Sequence, residues 1–294
     1  MRIAHVTDIH WFVPPRPHQM AFKRVLGTAN LYLRGRRHDF SRGAQQALIA
    51  HVQALEPDLL LITGDLTAQA LTAEFQLALQ DLQPLLDAIP VFMVPGNHDV
   101  YTGSAARRRT MERWFAPYMG LDGSGIGRST IGPLTVIGLD PNRATWATAS
   151  GLLPPAQLEA LAEALAEPIE GPIVLALHYP VIDRHGELYD HPSHGLRNAQ
   201  ALIEVLDAAP RRPTLIACGH VHHGFLAQLE LSDGVRIPVC DCGSSGHAHQ
   251  PKRGRAAAMG LYELRDDGTM HLERYLHDGQ GFVPEAGGAW ASGR

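Results

Sequence analysis

The sequence has no long apolar run, few cysteines and no strong excess of charge of either sign. No stretch reaches the roughly 18 consecutive apolar residues of a membrane-spanning helix. The three cysteines, Cys218, Cys240 and Cys242, are odd in number and lack the spacings of a disulfide framework or of a CxxC pair. The net charge of −5 argues against a protein that coats nucleic acid. Membrane-spanning, disulfide-stapled and nucleic-acid-coating proteins are therefore disfavoured.

The beginning of the chain and its cysteine content predict a cytoplasmic location. Residues 1–8 (MRIAHVTD) lack the basic-then-apolar profile of a signal peptide. A peripheral membrane contact stays open, because residues 11–42 form an insertion in which aromatic and basic side chains alternate. Its segment 22–37 has three open interpretations: a lid over an anionic substrate, a membrane contact through residues 16–40, or a helix packed on the domain with a solvated basic rim.

What the chain does contain is a large apolar fraction and many histidines. Hydrophobic residues make up 45% of the 294 residues, enough for one large core. The 17 histidines are the compositional oddity, and histidine is the commonest metal ligand in proteins. No linker or repeat divides the chain, so we predict a single domain over residues 1–278, followed by a flexible Gly/Ala-rich tail over 279–294.

Short apolar runs alternate with helical patterns over the first two thirds of the chain, which is typical of βαβ units in an α/β fold. We predict strands at 2–7, 58–63, 90–94, 134–139, 172–177 and 213–218, and helices at 43–55, 72–88, 105–118, 155–166 and 197–208. Beyond residue 218, runs at 224–231, 235–240, 256–265 and 269–276 are separated by Asp-Gly turns and predict antiparallel strands.

Polar residues of metal-binding type follow five of the predicted strands, at the sheet edge where open α/β sheets place their ligands. These residues are Asp8, His10, Asp65, Asn97, His178, His220 and His222. Because residues i and i+2 of an extended segment point the same way, each Asp-x-His or His-x-His pair can direct two ligands into one cavity. Carboxylates and imidazoles together suit Fe, Mn or Zn, and seven ligands suit two ions that share a carboxylate.

The ordered blocks D-x-H, G-D, G-N-H-D, H and G-H-x-H resemble those of the calcineurin-like metallophosphoesterase superfamily, over about residues 1–275. Within it they are similar to the bacterial cyclic-nucleotide and glycerophosphodiester phosphodiesterase branch. The resemblance implies two packed mixed β-sheets flanked by helices, an αββα sandwich. It also implies a first metal held by Asp8, His10, Asp65 and His222, and a second held by Asp65, Asn97, His178 and His220.

By the same resemblance, His98 is the catalytic histidine that does not bind metal, and Asp99 is predicted to orient it. A metal-bridging hydroxide would attack phosphorus in line, without a phospho-enzyme, while His98 stabilises the developing charge or protonates the leaving group. The expected activity is phosphodiester hydrolysis of a small-molecule substrate. Two alternatives stay open: a hydrolase of lipid-linked or nucleotide-sugar pyrophosphates at the membrane surface, and a catalytically silent metal-binding scaffold.

Overall fold

A computed structural model describes residues 1–20, 24–25, 39–107, 109–122, 124–145 and 148–286. Within these residues two six-stranded mixed sheets pack face to face, with helices on both outer sides. The strands are β1 (Arg2–Val6), β2 (Leu59–Ile62), β3 (Val91–Met93), β4 (Ile126–Ile131), β5 (Leu134–Leu139), β6 (Ile173–Ala176), β7 (Leu215–Cys218), β8 (Phe225–Glu230), β9 (Arg236–Asp241), β10 (Ala258–Leu264), β11 (Met270–His277) and β12 (Phe282–Pro284). The helices are α1 (Arg42–Leu55), α2 (Thr72–Leu86), α3 (Gly103–Arg107), α4 (Glu112–Met119), α5 (Pro155–Ala166) and α6 (Ala199–Ala208), with 3₁₀ turns at Pro17–Gln19 and Pro251–Arg253.

The first sheet has the order β12-β11-β10-β1-β2-β3 and the second the order β4-β5-β6-β7-β9-β8. Strands β1, β2 and β3 are parallel to one another, as are β5, β6, β7 and β9. The remaining strands join antiparallel at the sides of each sheet. The parallel strands therefore end at one common edge of the sandwich, and this edge carries the polar loops.

Three apolar layers hold the sandwich together. Alternate residues of each strand face opposite sides, so Ile3 of β1 packs between the sheets while Ala4 packs toward the helices. Helices α1, α2 and α4 cover the outer face of the first sheet, and α5 and α6 cover that of the second. The expected αββα sandwich is confirmed. No helix of the described residues combines the length and apolar character needed to cross a membrane.

Three predicted features are wrong in detail. The helix expected at 105–118 is divided into α3 and α4, with Arg109 at a positive φ of 47° between them. Strand β4 was not predicted, because it is a polar edge strand with exposed positions. The tail expected to be flexible from residue 279 begins with β12, which pairs with β11 and buries Phe282. The rest of that tail, residues 287–294, lies outside the described residues.

Candidate metal centre

The seven predicted ligands come together at the common strand edge of the two sheets. Loops after β1, β2 and β3 carry Asp8, His10, Asp65 and Asn97, and loops after β6 and β7 carry His178, His220 and His222. Four side chains therefore come from the first sheet and three from the second. The site exists only because the two sheets pack with these edges side by side.

An unusual backbone conformation aims these side chains. Five of the eight described non-glycine residues with positive φ are among the seven: Asp8 (52°), His10 (54°), Asp65 (53°), His220 (77°) and His222 (62°). Left-handed backbone costs a non-glycine residue about 1–3 kcal/mol and is typically kept where function demands it. The extended i, i+2 geometry that we expected for the two paired motifs is thus wrong. The strands end before the ligands, and left-handed turns make the side chains converge.

One cluster contains Asp8, His10, Asp65 and His222, whose nearest ligand atoms all lie within 4.8 Å of one another. His222 Nε2 is 3.2 Å from Asp8 Oδ1 and 3.2 Å from His10 Nε2. His10 Nε2 is also 3.7 Å from Asp8 Oδ1 and 3.7 Å from Asp65 Oδ2. All four side chains belong to the set predicted for a first metal.

A second cluster meets the first at Asp65. Its Oδ2 atom, which faces His10, is also 3.3 Å from His178 Nε2. Asn97 Oδ1 lies 3.2 Å from His178 Nε2 and 2.9 Å from His220 Nδ1. The carboxylate of Asp65 therefore stands between two groups of donor atoms.

The first cluster fits a cation. Ligand atoms about 2.1 Å from a common tetrahedral ion would be about 3.4 Å apart, and the measured separations scatter around that value. Asp8 Oδ1 is buried, has no hydrogen-bond partner among the described residues, and faces the two imidazoles. An unpaired buried carboxylate oxygen is costly unless a positive group occupies the space in front of it.

Backbone carbonyl groups select which ring nitrogen of each histidine is available. Thr63 O lies 2.7 Å from His178 Nδ1, and Thr67 O lies 3.3 Å from His10 Nδ1. Each carbonyl oxygen accepts a hydrogen bond from Nδ1–H, so Nε2 is the nitrogen that faces the cluster. His220 is the reverse case: its Nε2 donates to His194 O at 2.7 Å, so Nδ1 faces Asn97.

His98 lies beside the clusters without belonging to either. Its backbone N–H donates to Asp65 Oδ1 at 2.7 Å, and its ring lies edge-on to that of His10 at 4.7 Å. The ring Nδ1 is 2.6 Å from Ala68 O, so this carbonyl orients it. Asp99 does not serve that purpose, which corrects our expectation. Its carboxylate instead accepts hydrogen bonds from the backbone N–H groups of Gly96, Leu66 and Thr67. These bonds tie the loop after β2 to the loop after β3.

Burial and charge pairing perturb most of these groups. Burial lowers the pKa of His98 to about 4 and that of His220 to about 3. For His178 burial acts in the same direction, but the Asp65 carboxylate overrides it and raises the pKa to about 10. The pKa values of the Asp8 and Asp65 carboxyls lie well below the ordinary value. Burial by itself would raise them, but the charges of the surrounding histidines outweigh that effect. The site thus keeps both carboxylates ionised at neutral pH.

Two glycines allow the loops to approach closely. A Cβ at Gly96 would stand 2.1 Å from Asp65 Oδ1, and one at Gly219 would stand 2.0 Å from Thr7 Oγ1. Neither position has room for a side chain. These contacts give the physical reason why glycine precedes Asn97 and His220.

Two cavities open beside the clusters and share the wall formed by residues 220–223. The first, of about 630 Å³, is lined by Asp65, Asn97, His98 and the loop after His178, including His185, Tyr189 and His194. The second, of about 640 Å³, contains Phe40 and His247, whose rings lie 5.9 Å and 5.4 Å from that of His222. Sequence reasoning did not predict this second cavity, because its parts come from distant loops.

The insertion at 11–42 is described only in part. Trp11 is fully buried and donates from Nε1 to Asp81, so it is a packing residue. The Arg24 guanidinium donates to the carbonyl groups of Gln69 and Ala70. Residues 21–23 and 26–38, which contain most of segment 22–37, lie outside the described residues. The lid and membrane-contact interpretations of this segment therefore stay predictions.

Comparisons with known proteins agree with this geometry. The profile of the calcineurin-like phosphoesterase family matches residues 1–224. A probable cyclic nucleotide phosphodiesterase of Vesicomyosocius okutanii is 26% identical over 225 residues, which cover 76% of this chain and 85% of that protein. A probable glycerophosphodiester phosphodiesterase of Arcobacter nitrofigilis is 27% identical over 178 residues, which cover 59% of this chain and 60% of that protein.

Solved structures show the same fold. A dimetal phosphatase from Danio rerio superimposes with a TM-score of 0.60 at 14% identity, covering 96% of this chain and 98% of that one. A purple acid phosphatase from yellow lupin seeds superimposes with a TM-score of 0.59 at 13% identity, covering 96% of this chain and 52% of the other. At these identities the likeness concerns the fold alone.

Proposed function

Because the chain belongs to the calcineurin-like phosphoesterase family, we propose that it is a dinuclear metal-dependent phosphodiesterase acting on small-molecule esters. Asp8, His10, Asp65 and His222 would hold one cation, and Asp65, Asn97, His178 and His220 the other. The cations would be of the Fe, Mn or Zn kind, which accept mixed carboxylate and imidazole ligands. The observation that carries the proposal is the position of Asp65 Oδ2, 3.7 Å from His10 Nε2 and 3.3 Å from His178 Nε2.

When bound, a pair of cations lowers the pKa of water and neutralises charge on a phosphoryl group. The protein's own contribution is to fix the surroundings. The carbonyl groups that accept hydrogen bonds from His10 and His178 hold these two rings in one orientation. The hydrogen bonds to the Asp99 carboxylate hold the loops after β2 and β3 in a fixed position relative to each other. Little reorganisation is then needed when substrate arrives.

His98 is the proposed proton donor for the leaving oxygen. Its Nδ1 donates to Ala68 O, so Nε2 is the nitrogen available to substrate. Burial lowers the pKa of His98 to about 4, which leaves Nε2 unprotonated at pH 7 when no substrate is present. An anionic phosphate beside the ring would favour the protonated form. Nε2 then takes a proton from solvent and delivers it to the departing alkoxide.

The test is hydrolysis of bis(p-nitrophenyl) phosphate after reconstitution with Mn²⁺, Zn²⁺ or Fe²⁺. We expect turnover in the wild type and a loss of about 100- to 10,000-fold in His98→Ala, with the metal content of the variant unchanged. His271→Ala, which removes a surface histidine from β11, is the matched control and should behave as wild type. Metal-replete protein that leaves this diester intact would favour the metal-binding scaffold.

The second part of the proposal is that the enzyme prefers phosphodiesters to phosphomonoesters. It is supported by the phosphodiesterase names of the relatives and by the two cavities that meet at residues 220–223, one for each substituent of a diester. Comparison with p-nitrophenyl phosphate tests it. A higher kcat/KM for the monoester would contradict this preference.

A further inference from the structure

The second cavity differs from the first in its basic side chains. It is lined by His220 and His222 of the metal centre and by Arg253, Arg255 and Arg274. Its volume of about 640 Å³ is in the range of small-molecule sites. We refer to this space as the arginine cavity. The proposed chemistry at the clusters does not use any of its three arginines.

The charges of the arginine cavity do not cancel. Arg274 has a carboxylate of its own, since it pairs with Glu285, and it donates from Nε to Cys242 O at 3.0 Å. The other two guanidinium groups share a single carboxylate, that of Asp39, at 3.5 Å from Arg253 and 2.9 Å from Arg255. The described lining therefore carries one positive charge in excess, although the whole chain has a net charge of −5.

These two arginines also have donors to spare. The side chains of Arg253 and Arg255 are 62% and 42% exposed, while Asp39 is 7% exposed. Asp39 Oδ1 has no hydrogen-bond partner among the described residues. Its contact with Arg253 at 3.5 Å is therefore an ion pair without a hydrogen bond. A guanidinium group presents five N–H donors in a plane that suits phosphate oxygens. The Asp39 carboxylate and the Gln250 amide oxygen, which accepts from Arg253 at 3.4 Å, cannot saturate ten such donors.

The position of the cavity indicates what would use these donors. Residues 220–223 form a wall common to both cavities, so the metal centre lies where the two meet. A phosphodiester placed there extends one substituent into each cavity. The first cavity is lined by the rings of Tyr189 and Phe225 and by a single arginine, Arg184, whereas the arginine cavity is lined by three arginines.

We propose that the arginine cavity binds a terminal phosphate carried by one substituent of the substrate, with Arg253 and Arg255 as the specificity-determining residues. The substrate class is then a small phosphodiester that bears an additional phosphomonoester. This inference rests on the proposed phosphodiesterase function, because it takes the scissile phosphate to lie at the metal centre.

The test compares two esters that differ by one phosphate: thymidine 5′-(p-nitrophenyl phosphate) and the same compound phosphorylated at the 3′-oxygen. We expect the wild type to have a kcat/KM about tenfold higher for the phosphorylated ester, the size of one partly solvated charge-assisted contact. Removing all three charges together, in Arg253→Gln/Arg255→Gln/Asp39→Asn, leaves no carboxylate unpaired. It should bring the ratio to about one.

Two further variants sharpen the result. Asp39→Asn alone removes the competing anion and should raise the preference above that of the wild type. Arg236→Gln removes an arginine that pairs with Glu230 at the start of β9, away from the cavity lining, and should leave the ratio unchanged. Circular dichroism establishes that each variant folds. If the triple variant does not fold, the Asp39→Asn variant is the test of the proposal. A ratio of kcat/KM values for the two esters that does not rise in Asp39→Asn then contradicts the proposal.

Binding without turnover separates this inference from the proposed function. Calorimetry with thymidine 3′,5′-bisphosphate and thymidine 5′-phosphate should show the same tenfold difference for the wild type and none for the triple variant. Absence of hydrolysis with that difference intact would overturn the phosphodiesterase proposal but not the subsite. Equal affinities in the wild type, or a preference that survives in the triple variant, would overturn the subsite.

Discussion

Replacing Asp65 by asparagine tests whether one carboxylate serves two cations. The substitution keeps the size of the side chain and the acceptor for the His98 backbone N–H, which lies 2.7 Å from Oδ1. With its oxygen at the Oδ1 position, asparagine presents an uncharged N–H₂ group at the Oδ2 position to His10 and His178. Both proposed sites then lose their shared anionic ligand, because Oδ2 faces a ring nitrogen of each cluster.

The expected magnitude follows from linkage. At a free metal concentration of 100 times Kd, each site stabilises the wild type by about 2.7 kcal/mol, so two sites contribute about 5 kcal/mol. For a chain of 294 residues this raises Tm by about 8 °C, at about 1.6 °C per kcal/mol. Loss of a group that only hydrogen-bonds to a metal ligand already weakens metal binding about 10- to 100-fold. A hundredfold loss at both sites would leave a metal-induced shift of only about 1 °C.

The assay is differential scanning fluorimetry with and without metal, together with metal analysis of the dialysed protein. We expect about two equivalents in the wild type, about one in His10→Ala or Asn97→Ala, and almost none in Asp65→Asn. Asp266→Asn, in the exposed turn between β10 and β11, is the matched control. One equivalent retained by Asp65→Asn, with half of the thermal shift, would refute the shared carboxylate.

Two other predictions concern the packing around the site. Gly96→Ala should lower both metal content and Tm, because its Cβ would stand 2.1 Å from Asp65 Oδ1, whereas Gly281→Ala, with open space around it, should change neither; wild-type metal binding in Gly96→Ala would show that the loop yields freely. His5 is buried between Tyr262 Oη at 2.5 Å and Thr63 Oγ1 at 2.8 Å, and burial lowers its pKa to about 3. Because the unfolded chain takes up this proton near pH 6.5, His5 should lower the free energy of unfolding by about 1 kcal/mol per unit as pH falls from 6.5 toward 4; urea titrations of His5→Gln should show that much less dependence on pH, and identical slopes would contradict the assignment.

Local residue patterns were sufficient for most of the framework. Buried parallel strands read as continuous apolar runs, and helix α5 begins and ends where its periodicity predicts, at residues 155 and 166. The seven polar residues that follow these strands could be singled out for the same reason, since the carboxyl ends of parallel strands share one edge. Failures occurred where the signal is weak: the polar edge strand β4, the short strand β12, and the break between α3 and α4.

Other features are decided only by contacts between distant parts of the chain. No local pattern predicts the left-handed backbone of five ligand residues. The same holds for the orientation of the His220 ring, which donates to His194 O, and for the hydrogen bonds from loop amides to Asp99. The arginine cavity likewise joins Asp39 to residues more than 200 positions away. The sequence by itself determined which side chains stand at the sheet edge, because strand periodicity is local. Packing of the two sheets decided how those side chains face one another and what charge surrounds them.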